Sequence, residues 1–354
     1  MVIKVWKGLI NKYKKFLPVS DDQKIVTLNE GNTPLIKADW LNQKYGFELY
    51  LKFEGANPTG SFKDRGMTLA VTKAVEENSK AIICASTGNT SASAAAFGAR
   101  SGLKTLVVVP KAKIAKGKLS QALIYGANII PVKGNFDKAL EIVRELTDKY
   151  SLTLVNSLNP FRIEGQKTAA FEVADQLNKE NLDILALPVG NAGNITAYWK
   201  GFKEYNQKGY INYLPKMFGF QAECSAAMVK EKVIEEPETI ATAIRIGNPV
   251  NREKARKAKE ESNGLFEALT DEEIKDAHRI LAAKEGIFVE PASATPVAGL
   301  IKLSKEKEKL VKDKKIVAIL TGNGLKDQEF VLDNYSIPPA VAGNLQKVEE
   351  IINI

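Results

Sequence analysis

Histidine is nearly missing from this chain: His278 is the one histidine in 354 residues. That scarcity excludes histidine-based nucleophile triads and multi-histidine metal sites. Cysteine is almost as rare. Cys84 and Cys224 sit near the ends of apolar runs without metal or redox spacing, so both are expected as packed, reduced thiols. No stretch approaches the roughly 20 apolar residues of a membrane span. The N-terminus lacks a charged start leading into a long apolar core, so a cytoplasmic protein with no membrane partner is expected. Internal repeats and long low-complexity linkers are also missing.

The formal charge is +8, which raises nucleic-acid binding as an alternative. The excess is spread through mixed runs at 251–261 and 302–315, where acids interrupt the bases as on solvated helix faces. Only the cluster from Lys4 to Lys15 departs from this. It shows no zinc-finger or RNA-recognition spacing, so no nucleic-acid partner is expected.

With 44% hydrophobic residues, the chain can bury an ample core, and its length suggests about two domains. Short β-rich runs at 81–85, 105–109, 129–132, 152–155, 184–189, 217–221, 287–289 and 316–320 alternate with helical patterns. The pattern predicts an α/β fold with mostly parallel sheets, helices on both faces and ligands at the strands' C-terminal ends. A helix over 271–284 is marked by the capping box Thr270-Asp-Glu-Glu273.

Three loops carry chemistry. In Asn57-Pro-Thr-Gly-Ser-Phe-Lys63-Asp-Arg-Gly66, Pro58 and Gly60 bend the backbone, Ser61 can cap, and Lys63 enters a helix from a tight turn. The positive helix end and a desolvating cleft would favour its neutral, nucleophilic amine, as Schiff-base chemistry requires. In Leu187-Pro-Val-Gly190-Asn191-Ala192-Gly193-Asn194, a buried strand turns into a helix, and Gly190 and Gly193 allow positive φ and close approach, a phosphate cradle. In Ala85-Ser86-Thr87-Gly88-Asn89-Thr90, hydroxyls and an amide form a donor-rich rim suited to a carboxylate and a phenolate oxygen.

Together these loops resemble the pyridoxal-phosphate enzymes of the tryptophan-synthase-like fold, fold type II, over nearly the whole chain, and within that group the threonine synthases. The resemblance implies that Lys63 is the catalytic residue and binds the cofactor pyridoxal 5'-phosphate covalently. It also implies that Asn89 meets the phenolic oxygen, Gly190 to Asn194 hold the cofactor phosphate, and Thr321 faces the pyridine nitrogen. The substrate implied is O-phospho-L-homoserine, whose own phosphate would meet Asn156, Ser157, Arg162 and Lys118, with Ser86, Thr87 and Thr90 lining the substrate side. Among neighbouring lysines, Lys111, Lys113 and Lys116 are expected in solvent. A smaller domain at 56–160, inserted into a larger one made of 1–55 and 161–354, and a homodimer also follow from the resemblance. Glu30-Gly-Asn-Thr-Pro34 and Glu290-Pro-Ala-Ser resemble the family without an assigned role. A threonine or serine dehydratase of the same fold is the nearest alternative, sharing Lys63, Asn89 and the glycine loop but needing no substrate-phosphate site.

Overall fold

Runs rich in Val, Ile, Leu and Ala that are buried on both faces build the parallel strands of this α/β chain. The computed structural model describes residues 5–111 and 116–352, with the side chains of 116–118 and 136–137 outside that description. Its strands are β1 (Leu35–Lys37), β2 (Glu48–Phe53), β3 (Ala81–Ala85), β4 (Lys104–Pro110), β5 (Asn128–Val132), β6 (Leu152–Leu154), β7 (Ile184–Pro188), β8 (Lys216–Ala222), β9 (Leu265–Leu269) and β10 (Lys315–Leu320). They form a six-stranded sheet ordered β1-β2-β10-β7-β8-β9 and a four-stranded sheet ordered β5-β4-β3-β6. Pairing is parallel except between β1 and β2. Because β10 lies between β2 and β7, the two ends of the chain share the larger sheet, while the segment between β2 and β7 builds the smaller one.

The expected strand runs are present within one residue of their limits, except 287–289. That stretch makes only an isolated bridge from Val289 to Asn323, because Pro291 opens the helix Pro291–Glu306 and cannot donate to a ladder. Sequence reading missed β1, β2 and β9. In β2, Glu-Leu-Tyr-Leu-Lys-Phe, charged residues hide the strand signal, and Lys52 is fully buried.

Strand residues alternate between cores as the pleat requires. Leu185, Leu187, Val317 and Ile319 pack with Phe171, Tyr198 and Phe202 on one face of the larger sheet, and Ile184, Ala186, Ala318 and Leu320 pack with Phe220 and Leu281 on the other. In the smaller sheet Ile82, Cys84, Val107 and Val109 face one core, and Ile83, Ala85 and Val108 face another with Val143. The helix Lys63–Glu76 serves two cores: Leu69 joins the larger, Met67, Val71 and Ala74 the smaller.

The capping box at Thr270 and Glu273 starts the helix Asp271–Glu285 as expected. His278 is buried there, bonded through Nε2 to the Val289 carbonyl at 2.8 Å, with Phe330 at 5.1 Å between ring centroids. Cys84 packs in β3, but Cys224 is exposed: it falls in the short turn after β8 rather than within the strand. In the N-terminal basic cluster, Lys14 pairs with Asp21 at 2.8 Å and Lys15 lies over the rings of Phe16 and Tyr210.

One buried ion network ties the sheet to the helix that begins at Lys63. Arg65 donates from Nε to Glu54 at 2.7 Å and from Nη2 to Glu172 at 2.8 Å, and Lys52 donates to Glu172 at 2.6 Å. The Asn32 and Thr33 amides donate to the same Glu172 carboxylate at 2.8 and 2.9 Å. Burial alone would raise Glu172, but Arg65 and Lys52 outweigh it and hold the carboxyl well below the usual carboxylate range. Glu172→Gln should lower unfolding free energy by about 3–5 kcal/mol, because it strands buried cations. Urea denaturation checks this. Since folding depresses this pKa, the stability it contributes is complete above the ordinary carboxylate range and fades as pH falls below it.

Candidate active site

The turn Asn57–Gly60 closes with the Gly60 amide bonded to the Asn57 carbonyl at 2.8 Å, and Gly60 takes φ 83. The following residues are stitched to the end of β10. The Phe62 amide donates to the Thr321 carbonyl and the Asn323 amide to the Gly60 carbonyl, both at 2.9 Å, and Ser61 bridges Gly322. Asp64, fully buried, accepts from the Thr59 amide at 2.7 Å and from the Thr59 and Ser93 hydroxyls at 2.6 Å each. Ser61 does not cap the helix. Phe62 occupies the cap position in helical geometry, and Ser61 Oγ accepts only a long 3.4 Å bond from the Lys63 amide.

Lys63 thus stands partly exposed at the start of its helix, its Nζ 4.4 Å from the Phe62 ring centroid. Burial and then the Arg162 charge bring its amine down to about 7, with Glu290 opposing. Near neutral pH a large share of the amine is therefore unprotonated and nucleophilic.

Arg162 reaches Lys63 because two helices cross without side chains between them. A Cβ on Gly165 would lie 2.1 Å from the Arg65 carbonyl oxygen, and one on Gly66 2.7 Å from the Arg162 carbonyl oxygen, so glycine is required at both positions. Arg162 is buried, donates from Nη1 to the Val155 carbonyl at 2.7 Å, and has no partner for Nε among the described residues. Asn156 is also buried. Its carboxamide accepts from the Ala85 amide and donates to the Ala85 carbonyl, both at 2.9 Å, imitating a peptide group that extends the β3–β6 ladder. Ser157 is partly exposed beside it, and Asn159, unremarked in the sequence, caps the helix Pro160–Gln176 by accepting from the Phe161 amide at 2.9 Å. Lys118 lies on the helix Lys116–Ile124, but its side chain is outside the described residues, as is all of Lys113. Lys111 is exposed.

At the end of β7 the left-handed residue is Ala192, φ 60, which precedes the helix Gly193–Gln207. Gly190 and Gly193 were expected to supply positive φ and do not. Gly190 is needed for space, since a Cβ there would meet Ile244 Cα at 3.1 Å. The Asn191 carbonyl accepts from the Asn251 amide at 3.1 Å, which pins the loop. Asn194 is buried at the helix start, and its Nδ2 has no partner among the described residues.

In the second loop Ser86 Oγ accepts from the Gly88 amide at 3.2 Å, and no side chain caps the helix Asn89–Ser101. Thr87, Asn89 and Thr90 are partly exposed. Asn89 Nδ2 donates to both Glu290 oxygens at 3.1 and 3.0 Å. Glu290, given no role in the sequence, is buried, has its carboxyl raised by burial, and is felt electrostatically by Lys63 and Lys326. The signal that could have found it is a carboxylate placed before the helix-opening Pro291, at the level of the strand ends. Thr321 is buried with Oγ1 2.9 Å from Ser293 Oγ, which also accepts from the Gly322 amide at 2.7 Å.

Residues 26–322 match the family described as "Pyridoxal-phosphate dependent enzyme". The chain belongs to this family. Within it, the chain is 58% identical to a threonine synthase of Halalkalibacterium halodurans over 96% of this chain and 95% of the relative. It is 52% identical to a threonine synthase of Methanocaldococcus jannaschii, over 99% and 87%. In fold it is similar to the processed threonine deaminase isoform 2 of Solanum lycopersicum, with TM-score 0.73, 22% identity and coverage of 86% and 83%. Maize serine racemase is similar too, with TM-score 0.73, 21% identity and coverage of 83% and 88%.

The residues fit the cofactor that this pyridoxal-phosphate family uses. A depressed lysine suits its aldehyde, and the free N–H groups of a helix start, with the unpartnered Asn194 amide, suit its phosphate. The described residues hold no group of metal ligands. Capture of the cofactor by Lys63 in the apo protein, read as borohydride-fixed adduct, should rise with pH through a midpoint near 7. Arg162→Met should move that midpoint up by removing a repelling charge, and Glu290→Gln should move it down by removing an attracting one.

Proposed function

We propose that the protein acts as a threonine synthase, converting O-phospho-L-homoserine and water to L-threonine and phosphate, with Lys63 as its catalytic base. The observation that carries this reading is Arg162: a buried guanidinium with an unpartnered Nε, close enough to Lys63 to lower its amine. A dehydratase acting on threonine or serine has no substrate phosphate and no use for such a charge. The full-length relatives named as threonine synthases support the same choice.

Bound pyridoxal phosphate supplies an electron sink for charge developing at the substrate's Cα. The chain's residues do the rest. As a neutral amine, Lys63 takes the Cα proton and must hand it on before it takes one from Cβ. It gives that second proton to Cγ after phosphate has left, the first is restored at Cα at the end, and the released phosphate takes the proton of the water that adds at Cβ. Arg162 forks onto phosphate oxygens, with Ser157 and Lys118 as further donors, and keeps the released anion in place while water adds at Cβ. Asn156 acts by holding Ala85, and hence the Ser86 to Thr90 rim, in position for the substrate carboxylate. Gly190 to Asn194 would hold the cofactor phosphate, Asn89 its phenolic oxygen and Thr321 its ring nitrogen, where a neutral hydroxyl would not force protonation.

The same reading takes 56–160 as a smaller unit closing on the rest, and the enzyme as a cytoplasmic homodimer. No helix among the described residues is long and apolar enough to cross a membrane. Lys63→Ala should abolish turnover and the cofactor's visible absorbance. Arg162→Ala should keep that absorbance yet lower kcat/KM for O-phospho-L-homoserine by about a hundredfold, as expected for loss of a charge-assisted contact. Assays of phosphate release and threonine formation check both. Keto-acid formation from threonine at a higher rate would favour the dehydratase instead.

A further inference from the structure

We propose that Lys326 is a positioning residue whose ammonium bolts the helix Lys116–Ile124 to the turn that delivers Lys63. Lys326 lies in the short turn Gly324–Asp327 that follows Thr321, with its own amide bonded to the Asn323 carbonyl at 3.1 Å. Its Nζ donates to the Thr59 carbonyl at 2.8 Å and to Gln121 Oε1. Three distant parts of the sequence therefore meet on one ammonium: the lysine turn, the end of β10 and a helix of the smaller sheet's layer.

The contact is built for this arrangement. The lysine stem runs under Gly60, where an added Cβ would come within 3.0 Å of Lys326 Cδ. The ammonium is also the cation that faces two buried carboxyls. Burial lowers its proton affinity, and Glu290 and Asp64 oppose that loss. Asp64 holds Thr59 and Ser93, and Glu290 holds Asn89, so both carboxyls already touch the loops around Lys63. The helix Lys116–Ile124 is held to its own core by Leu119 and Ala122, while Leu123 and Ile124 are exposed. Lys326 supplies a polar tie from this helix to the turn before Lys63. Because the same helix backbone carries Lys118, that tie sets where the helix stands relative to Lys63.

The kinetic part of the test rests on the proposed function, whereas the exchange part does not. In the cofactor-loaded enzyme, Lys326→Met and Gln121→Leu should each raise KM for O-phospho-L-homoserine about tenfold, the lower range for one charge-assisted hydrogen bond, with kcat changed less. The double variant should be no worse than the more affected single, since both cut one contact. Amide hydrogen exchange in 116–124, measured without substrate, should speed up in both singles, and Lys326→Arg should restore part of the protection. If Lys326→Met fails to fold, Gln121→Leu carries the test alone through KM and exchange. Additive effects in the double variant, or unchanged KM and exchange with only a lower melting temperature, overturn the proposal. Should the wild type form no threonine, the function reading fails, and exchange alone still decides the bolt.

Discussion

The contact on which the rest depends is the bare crossing of the helices Lys63–Glu76 and Pro160–Gln176 at Gly66 and Gly165. Any side chain at either glycine would drive the helices apart. Without that approach the Arg162 charge would not act on Lys63 so strongly, and the amine would lose much of the second of the two causes that depress it. Packing here lowers the amine's proton affinity, because two like charges brought together in a dry place cannot both be held without cost.

The neighbourhood of that crossing explains why it survives. Two residues beyond Lys63, Arg65 is clamped by Glu54 and Glu172, and Glu172 sits on the same helix as Arg162. The ion network therefore presses the two helices together from below, while Asp64 ties the turn above to Ser93 on the helix that begins with Asn89. Stabilising and chemical functions are adjacent along one short segment, 63–66, where Lys63 is partly exposed and Asp64, Arg65 and Gly66 are buried.

Much of this was readable in the residues. Each loop named from the sequence follows the C-terminal end of a parallel strand, since short continuous apolar runs and small polar turns report local structure directly, although the strand before the Lys63 turn was itself missed. What escaped reading was of three kinds. Strand β2 was hidden because its charges are satisfied by partners far away in sequence, such as Glu172 for Lys52. The left-handed position fell on Ala192 rather than a glycine, because the surrounding loop, pinned by Asn251, imposes the conformation that glycine would only have permitted. Glu290 was singled out only within a stretch that resembles the family and without a role, and Asp64 not at all, because an isolated carboxylate reveals little until the fold buries it.

The guanidinium at the helix crossing has a dynamic corollary. While unopposed, it withholds a proton from the nearby amine. An anion settling on it, as the proposed function requires, would cancel that influence, so the amine's affinity for a proton would climb at docking and drop again when the anion departs. Under that reading, a charge held by one side chain would set the basicity of its neighbour, which would be the stronger base only while loaded.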